Sequence, residues 1–240
     1  MHTDPNTTLG EIVTADHRTA AVFDRFGMDF CCGGRRTLQE ACEEQAVDVR
    51  ALLSALDALP DGAGADKPGF AQMPLDQLID HIVSRHHAYV RSAIPVLLAH
   101  SAKIAAVHGE KSPELRGVAD HVAAVAAGMT QHMYKEEEIL FPYIRSLVQT
   151  ERAGRRAAPS PFGTIYNPIR MMEAEHQEAG EELRLIREAT AGYTLPDFAC
   201  ATYRACFSEL EAFERDLHRH VHLENNILFP AAIELEQRLA

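Results

Sequence analysis

Beyond residue 70 the chain sets apolar residues three and four positions apart, without strand-like alternation. It does so over four stretches: Pro74–His108, Pro113–Val148, Pro168–Thr190 and Leu195–Leu239. That period buries one face of a helix, so the pattern predicts four long amphipathic helices. Pro74, Pro113 and Pro168 stand where a first helical residue would fall, and Ser112 and Asn167 precede two of them as N-caps. Short connections between such helices predict an antiparallel four-helix bundle, and the fold class is all-α. The Glu151–Phe162 connection (ERAGRRAAPSPF) is longer and basic, and reads as a surface crossover. Pro142 and Pro230 fall inside the second and fourth helices, where a missing N–H should kink or end each one.

Before the bundle, Pro60–Gly69 (PDGAGADKPG) has almost no apolar periodicity. It reads as a linker (61–70) between a small helical domain (1–60) and the bundle (71–240). Inside the small domain, Thr8 with Glu11 and Thr37 with Glu40 fit capping boxes, and Gly27 is placed to stop a helix through Ala20–Phe26. The segment MDFCCGG (28–34) then sets Cys31 and Cys32 on a glycine-flanked loop. Two adjacent thiols there could bind a soft metal, form an easily reduced disulfide or exchange with a partner thiol. They could equally pack into a tight turn whose glycines supply positive φ. Cys42, Cys200 and Cys206 lie in helical patterns, where core packing is the better reading.

Composition narrows the function classes. With 46% hydrophobic and 24% charged residues, and no run approaching the ~18 apolar residues of a membrane span, a globular chain without a membrane partner is expected. The opening MHTDPNTTLG has neither basic nor apolar signal region, so a cytoplasmic location is expected. A net charge of −12 repels phosphate backbones, which argues against nucleic acid as a partner. Five cysteines, two of them adjacent, do not suit a secreted disulfide scaffold. Thirteen histidines are enough to supply a metal site.

The histidines fall into a repeat. Residues 132–142 read HMYKEEEILFP and residues 220–230 read HVHLENNILFP, identical at six of eleven positions. A His and a Glu four apart share a helical face, so His132 with Glu136, and His220 with Glu224, can each converge on one ion. Ile139 and Ile227 continue that face as apolar residues, which predicts that it points inward. The two windows are 88 residues apart, and His87 and His176 are 89 apart, so the first and third helices supply a third and fourth imidazole. His86 competes with His87 for that position. His218 and His222 flank the ligand face, and Glu137, Glu138 and Glu175 read as exposed or lining acids, Glu175 being close enough to approach the site. Four imidazoles and two carboxylates are too many for one tetrahedral zinc and fit two ions sharing carboxylate bridges. Iron suits such sites in helical bundles, with zinc and manganese as alternatives.

DFCCGG near the N-terminus, together with HMYKEEEILFP, MEAEHQEAG and HVHLENNILFP, resembles the iron–sulfur cluster repair di-iron proteins, also called the Ric (repair of iron centres) family. The resemblance spans nearly the whole chain. It implies a hemerythrin-like bundle behind a short cysteine-bearing domain, and two non-haem irons joined by an oxo or hydroxo bridge. It also implies cytoplasmic repair of iron–sulfur proteins damaged by nitric oxide or oxidants. The family's ligands fall on His87, His132, Glu136, His176, His220 and Glu224, and its cysteine pair on Cys31 and Cys32, the candidate catalytic residues. The chain departs from the family at Gly128, where relatives can carry an acid near the site, and in the length of the 151–162 connection. Open choices are iron donation against reductive removal of nitric oxide, a homodimer, and a hemerythrin-like oxygen or nitric oxide binder without repair activity. A structural zinc or manganese protein is a further alternative.

Overall fold

The computed structural model describes residues 3–59 and 69–240; residues 61–68 of the expected linker lie outside the described residues. Among the described residues there are eight helices, which we number α1 to α8, and one 3₁₀ turn at Phe70–Gln72. The small helices are α1 (Leu9–Ala15), α2 (Thr19–Phe26), α3 (Leu38–Glu44) and α4 (Val49–Asp57). The long ones are α5 (Leu75–His108), α6 (residues 114–152), α7 (Tyr166–Ala189) and α8 (residues 201–239). The class is all-α, as the apolar period predicts.

Contacts group the chain into two units. The first comprises Met1–Ile79, Leu147–Ala158 and His218–Ala240; the second comprises Asp80–Ser146 and Pro159–Leu217. This grouping follows packing rather than the linker, and it cuts through α5, α6 and α8.

In the first unit, local chemistry sets the small helices. Thr8 and Thr37 each accept a hydrogen bond from the backbone N–H three residues on, and Glu11 and Glu40 reach back to the threonine N–H, completing both capping boxes. The two caps sit side by side: the Leu9 N–H donates to the Arg36 carbonyl at 3.0 Å and the Leu38 N–H to the Thr7 carbonyl at 3.0 Å. Gly27 ends α2 at φ 69°, a left-handed conformation that costs glycine little. Leu9, Phe23, Phe30, Leu38 and Leu52 are fully buried and form the small core. Burying each such side chain contributes about 1.5–3 kcal/mol before chain entropy is counted.

In the second unit, cross-helix pairs give the topology. His100 meets Glu209 at 2.7 Å and Tyr89 meets Phe213, so α5 and α8 run antiparallel. His121 meets Glu182 at 2.6 Å and His132 meets Glu175 at 3.0 Å, so α6 and α7 do too. Inside α8, buried Glu214 takes two hydrogen bonds from Arg187 of α7 and one at 2.9 Å from the hydroxyl of Tyr193 in the turn between the two helices. These sections of the four long helices pair as an up-and-down bundle.

Several boundaries differ from the sequence reading. Neither Ser112 nor Asn167 caps a helix: α6 starts behind Pro113 without a side-chain cap, and Asn167 lies inside α7, donating to the Phe162 carbonyl at 2.8 Å. Residues 195–200 precede α8, which begins at Ala201. By length and composition, α5 could cross a bilayer, with a mean hydropathy of 1.3 in its most apolar window. Summed apolarity hides the five histidines that it carries.

Pro142 and Pro230 do not end their helices. Each follows a π-helical turn, Glu136–Leu140 or Glu224–Leu228, in which the Phe141 and Phe229 N–H groups reach back five residues to the Glu136 and Glu224 carbonyls. The proline is the next residue, and the widened turn absorbs its missing donor. Of the two isoleucines expected to face inward, Ile227 is buried at 7% exposure and Ile139 is 46% exposed, although both lie in such a turn.

Replacing Thr37 by Ala should cost about 1 kcal/mol of stability, read by chemical denaturation, with Thr37→Ser keeping most of it. An unchanged midpoint for Thr37→Ala would show that the cap does not hold this unit.

Candidate metal centre and cysteine loop

The second unit brings four of the six candidate ligands together. His87, His132, Glu136 and His176 are all buried, at 0 or 1% exposure, on three different helices. His87 Nε2 and His132 Nε2 each lie 3.3 Å from Glu136 Oε2, and His176 Nε2 lies 2.9 Å from His132 Nε2. A π turn, Ile82–His87, delivers His87, and another begins at Glu136. Such turns recur at functional sites because they re-aim one side chain without ending the helix.

The outer ring nitrogens are tied as well. His87 Nδ1 meets Glu137 Oε1 at 2.5 Å, and Arg91 Nη2 reaches the same oxygen at 2.5 Å. His132 Nδ1 meets Glu175 Oε2 at 3.0 Å, and Lys135 bonds the other oxygen of Glu175. The His132 hydrogen bond, with Lys135 beside it, holds the Glu175 carboxyl down to about 2. With Nδ1 donating to a carboxylate, the Nε2 of each ring carries the lone pair and faces Glu136. Lone pairs converging on a buried carboxylate repel one another unless a cation lies among them, so this donor set fits a metal.

His86 is buried too, but its Nδ1 is 3.1 Å from Asp216 Oδ2, and it is His87 that lies beside Glu136. Glu137 and Glu175, read from the sequence as exposed or lining acids, are the partners that orient the rings. No periodic signal marks Glu137, which directly follows Glu136 in the sequence. Gly128 is exposed, and a Cβ there would meet nothing within 4 Å, so this position does not line the cluster.

In the first unit, His220 and Glu224 form the equivalent pair, both fully buried, with Nε2 to Oε1 at 3.0 Å and Glu224 opening its own π turn. His218 bonds Asp24 at 2.8 Å. His222 is packed against the Phe30 ring, and burial pushes its pKa down to about 4.

The same unit carries the cysteine loop. Asp29 Oδ1 accepts from the Cys31 N–H at 3.1 Å, the Cys32 N–H at 2.9 Å and the Cys31 thiol at 3.2 Å, and Oδ2 accepts from the Gly33 N–H at 2.9 Å. This Asx-type turn fixes the loop that carries the two thiols. The Cys32 thiol, burial and Asp29 all push the Cys31 thiol well above its usual value. An Asp two residues before the first cysteine was the available sequence signal.

Cys42 and Cys206 are buried, in line with core packing, but Cys200 is exposed. Cys200 directly precedes α8, so its sulfur accepts from helix N–H groups instead of entering the core. His108 Nε2 lies 3.2 Å from that sulfur and, with those N–H groups, holds the thiol at about 7.

With this geometry in view, two family models match. Residues 78–232 match the hemerythrin HHE cation binding domain, and residues 5–60 match ScdA_N, a domain of unknown function (DUF542). Fold and site therefore define a hemerythrin-type cation-binding protein. Iron-sulfur cluster repair proteins YtfE of Yersinia pestis (strain Pestoides F) and Yersinia pseudotuberculosis serotype IB (strain PB1/+) are each 38% identical over 231 residues. The matches cover 96% of this chain and 98% of the relatives. The chain belongs to this YtfE family of iron–sulfur cluster repair proteins.

Cys200 should be the fastest of the five thiols to alkylate, with a rate rising through a midpoint near pH 7 because the lowered pKa raises the thiolate fraction. His108→Gln should move that midpoint up and slow the reaction at pH 7 by about ten-fold. A profile that His108→Gln leaves in place would remove the imidazole from the account.

Proposed function

We propose that this chain repairs iron–sulfur clusters from a di-iron centre held by His87, His132, His176, His220, Glu136 and Glu224. What carries the reading is the convergence of His87, His132 and His176 on Glu136, with the outer nitrogens of His87 and His132 tied to carboxylates. The duplicated window and family membership extend it to His220 and Glu224. Two irons sharing an oxo or hydroxo bridge suit four imidazoles and two bridging carboxylates better than one tetrahedral zinc. When bound, the irons supply one-electron chemistry and a pool of metal for a client.

The chain's own residues set the terms. Glu136 and Glu224 offer carboxylate bridges, and the four histidines offer Nε2. Glu137 and Glu175 hold the Nδ1 protons of His87 and His132, fixing tautomer and ring plane, while Arg91 and Lys135 offset the charge of those outer acids. Burial of every ligand excludes bulk water. Cys31 and Cys32 serve as the thiol handle toward the client. The reading divides the chain into a domain of residues 1–60, a linker of 61–70 and a bundle of 71–240. The reading includes damaged iron–sulfur proteins as clients, nitric oxide or oxygen as small ligands, a cytoplasmic setting and a homodimer.

Metal analysis of the purified chain should give two irons per chain with a charge-transfer absorption of a bridged pair. His132→Ala or His220→Ala should lose iron and thermal stability together. Two irons retained in His220→Ala would contradict the ligand assignment. Cys31→Ala with Cys32→Ala should keep both irons and lose recovery of a nitric-oxide-damaged client cluster; full recovery would favour a hemerythrin-like diatomic binder over thiol-assisted repair.

A further inference from the structure

The two copies of the ligand window share the His, the Glu and the closing Ile-Leu-Phe-Pro and differ at the other five positions, two of which, in the second copy, have partners within their own unit. In the first copy Tyr134 is 62% exposed and Glu138 is exposed; their counterparts are His222, buried at 4%, and Asn226. Asn226 Nδ2 donates to the Phe30 carbonyl at 3.3 Å and the Cys31 carbonyl at 3.2 Å, and lies 3.1 Å from His222 Nδ1. The Phe30 ring meets the His218 and His222 rings, each at 5.9 Å between centroids.

Two glycines make room for this contact. A Cβ on Gly10 would stand 2.7 Å from Asn226 Oδ1, and one on Gly34 would stand 2.5 Å from it. The Gly10 N–H also donates to the Gly34 carbonyl at 2.9 Å, so the start of α1, the cysteine loop and the π turn of α8 close around one amide. Nothing in ligand chemistry asks for an amide at residue 226 or a buried imidazole at residue 222, since the first copy does without both.

We propose that the second window has become the seat of the cysteine loop, with Asn226 as the positioning residue that keeps the Cys31 sulfur covered. Reaction at Cys31 then requires Asn226 to release two carbonyls, so the side chain sets how often this thiol is presented. The seat itself stands on contacts among residues 10–34 and 222–226. Only its consequence for repair rests on the proposed role of the cysteine pair.

The test is iodoacetamide labelling of the full iron-loaded chain, with Cys31, Cys32 and Cys42 resolved by fragment mass spectrometry. Asn226→Asp turns the donor into an acceptor facing two carbonyls, and should raise Cys31 labelling about ten-fold or more while Cys42 stays at its parental rate. Gly10→Ala, which disturbs the same amide from the other side, should act alike, and its effect should shrink in an Asn226→Ala background. Cys31 labelling at the parental rate in both single variants would overturn the proposal, as would Cys42 rising in step with Cys31, because that reports general loosening. A selective rise at Cys31 with unchanged cluster recovery would support the seat and count against the thiol role in repair.

Discussion

A carboxylate removed from water demands compensating positive charge, and Glu136 is fully buried with imidazole nitrogens as its neighbours. The Nδ1 atoms of His87 and His132 are engaged by Glu137 and Glu175, which turns the Nε2 atoms of both rings toward Glu136. A metal satisfies every member of the cluster at once. The cluster is thus a buried donor set that fits a cation, and the apolar contacts around it hold the rings in place.

The same economy explains why acids lie one layer out from the ligands. Glu137 and Glu175 each take a ring proton on one side and a cation on the other, Arg91 for the first and Lys135 for the second. Each imidazole therefore ends in a charge-balanced chain that reaches the protein surface. Such chains orient a ligand and tune its basicity in the same stroke.

Much of this was legible before any coordinates. The helical period located four long helices because each buries only one face, and two capping boxes and Gly27 were readable because their chemistry is local to three or four residues. The candidate ligand histidines and glutamates stood out through duplication, a signal that needs no contact information. What escaped the reading depends on where a helix starts and how it winds. Ile139 and Ile227 were both assigned inward on a uniform 3.6 period and only Ile227 is buried, while the π turn that each window carries is announced by no local propensity. Ser112 and Asn167 are good caps by type, yet the helices begin elsewhere because Pro113 and Ile165 already start the turn. Cys200 reads as core by its spacing from Cys206, and only the true start of α8 puts it in solvent.

The π turns of the two ligand windows also carry a historical consequence. A single π turn is what a helix makes of one surplus residue, so each window can be read as an ordinary helix that gained an amino acid between its glutamate and its proline. Losing that residue would restore ideal winding and, at 3.6 residues per turn, swing everything on one side of the scar by about 100° relative to the other. Ligands upstream and apolar anchors downstream could then no longer both face inward. An imperfection in the spiral is thereby locked in place, and comparison of this chain with straighter helical relatives should place a one-residue gap at residues 136–140 and again at 224–228.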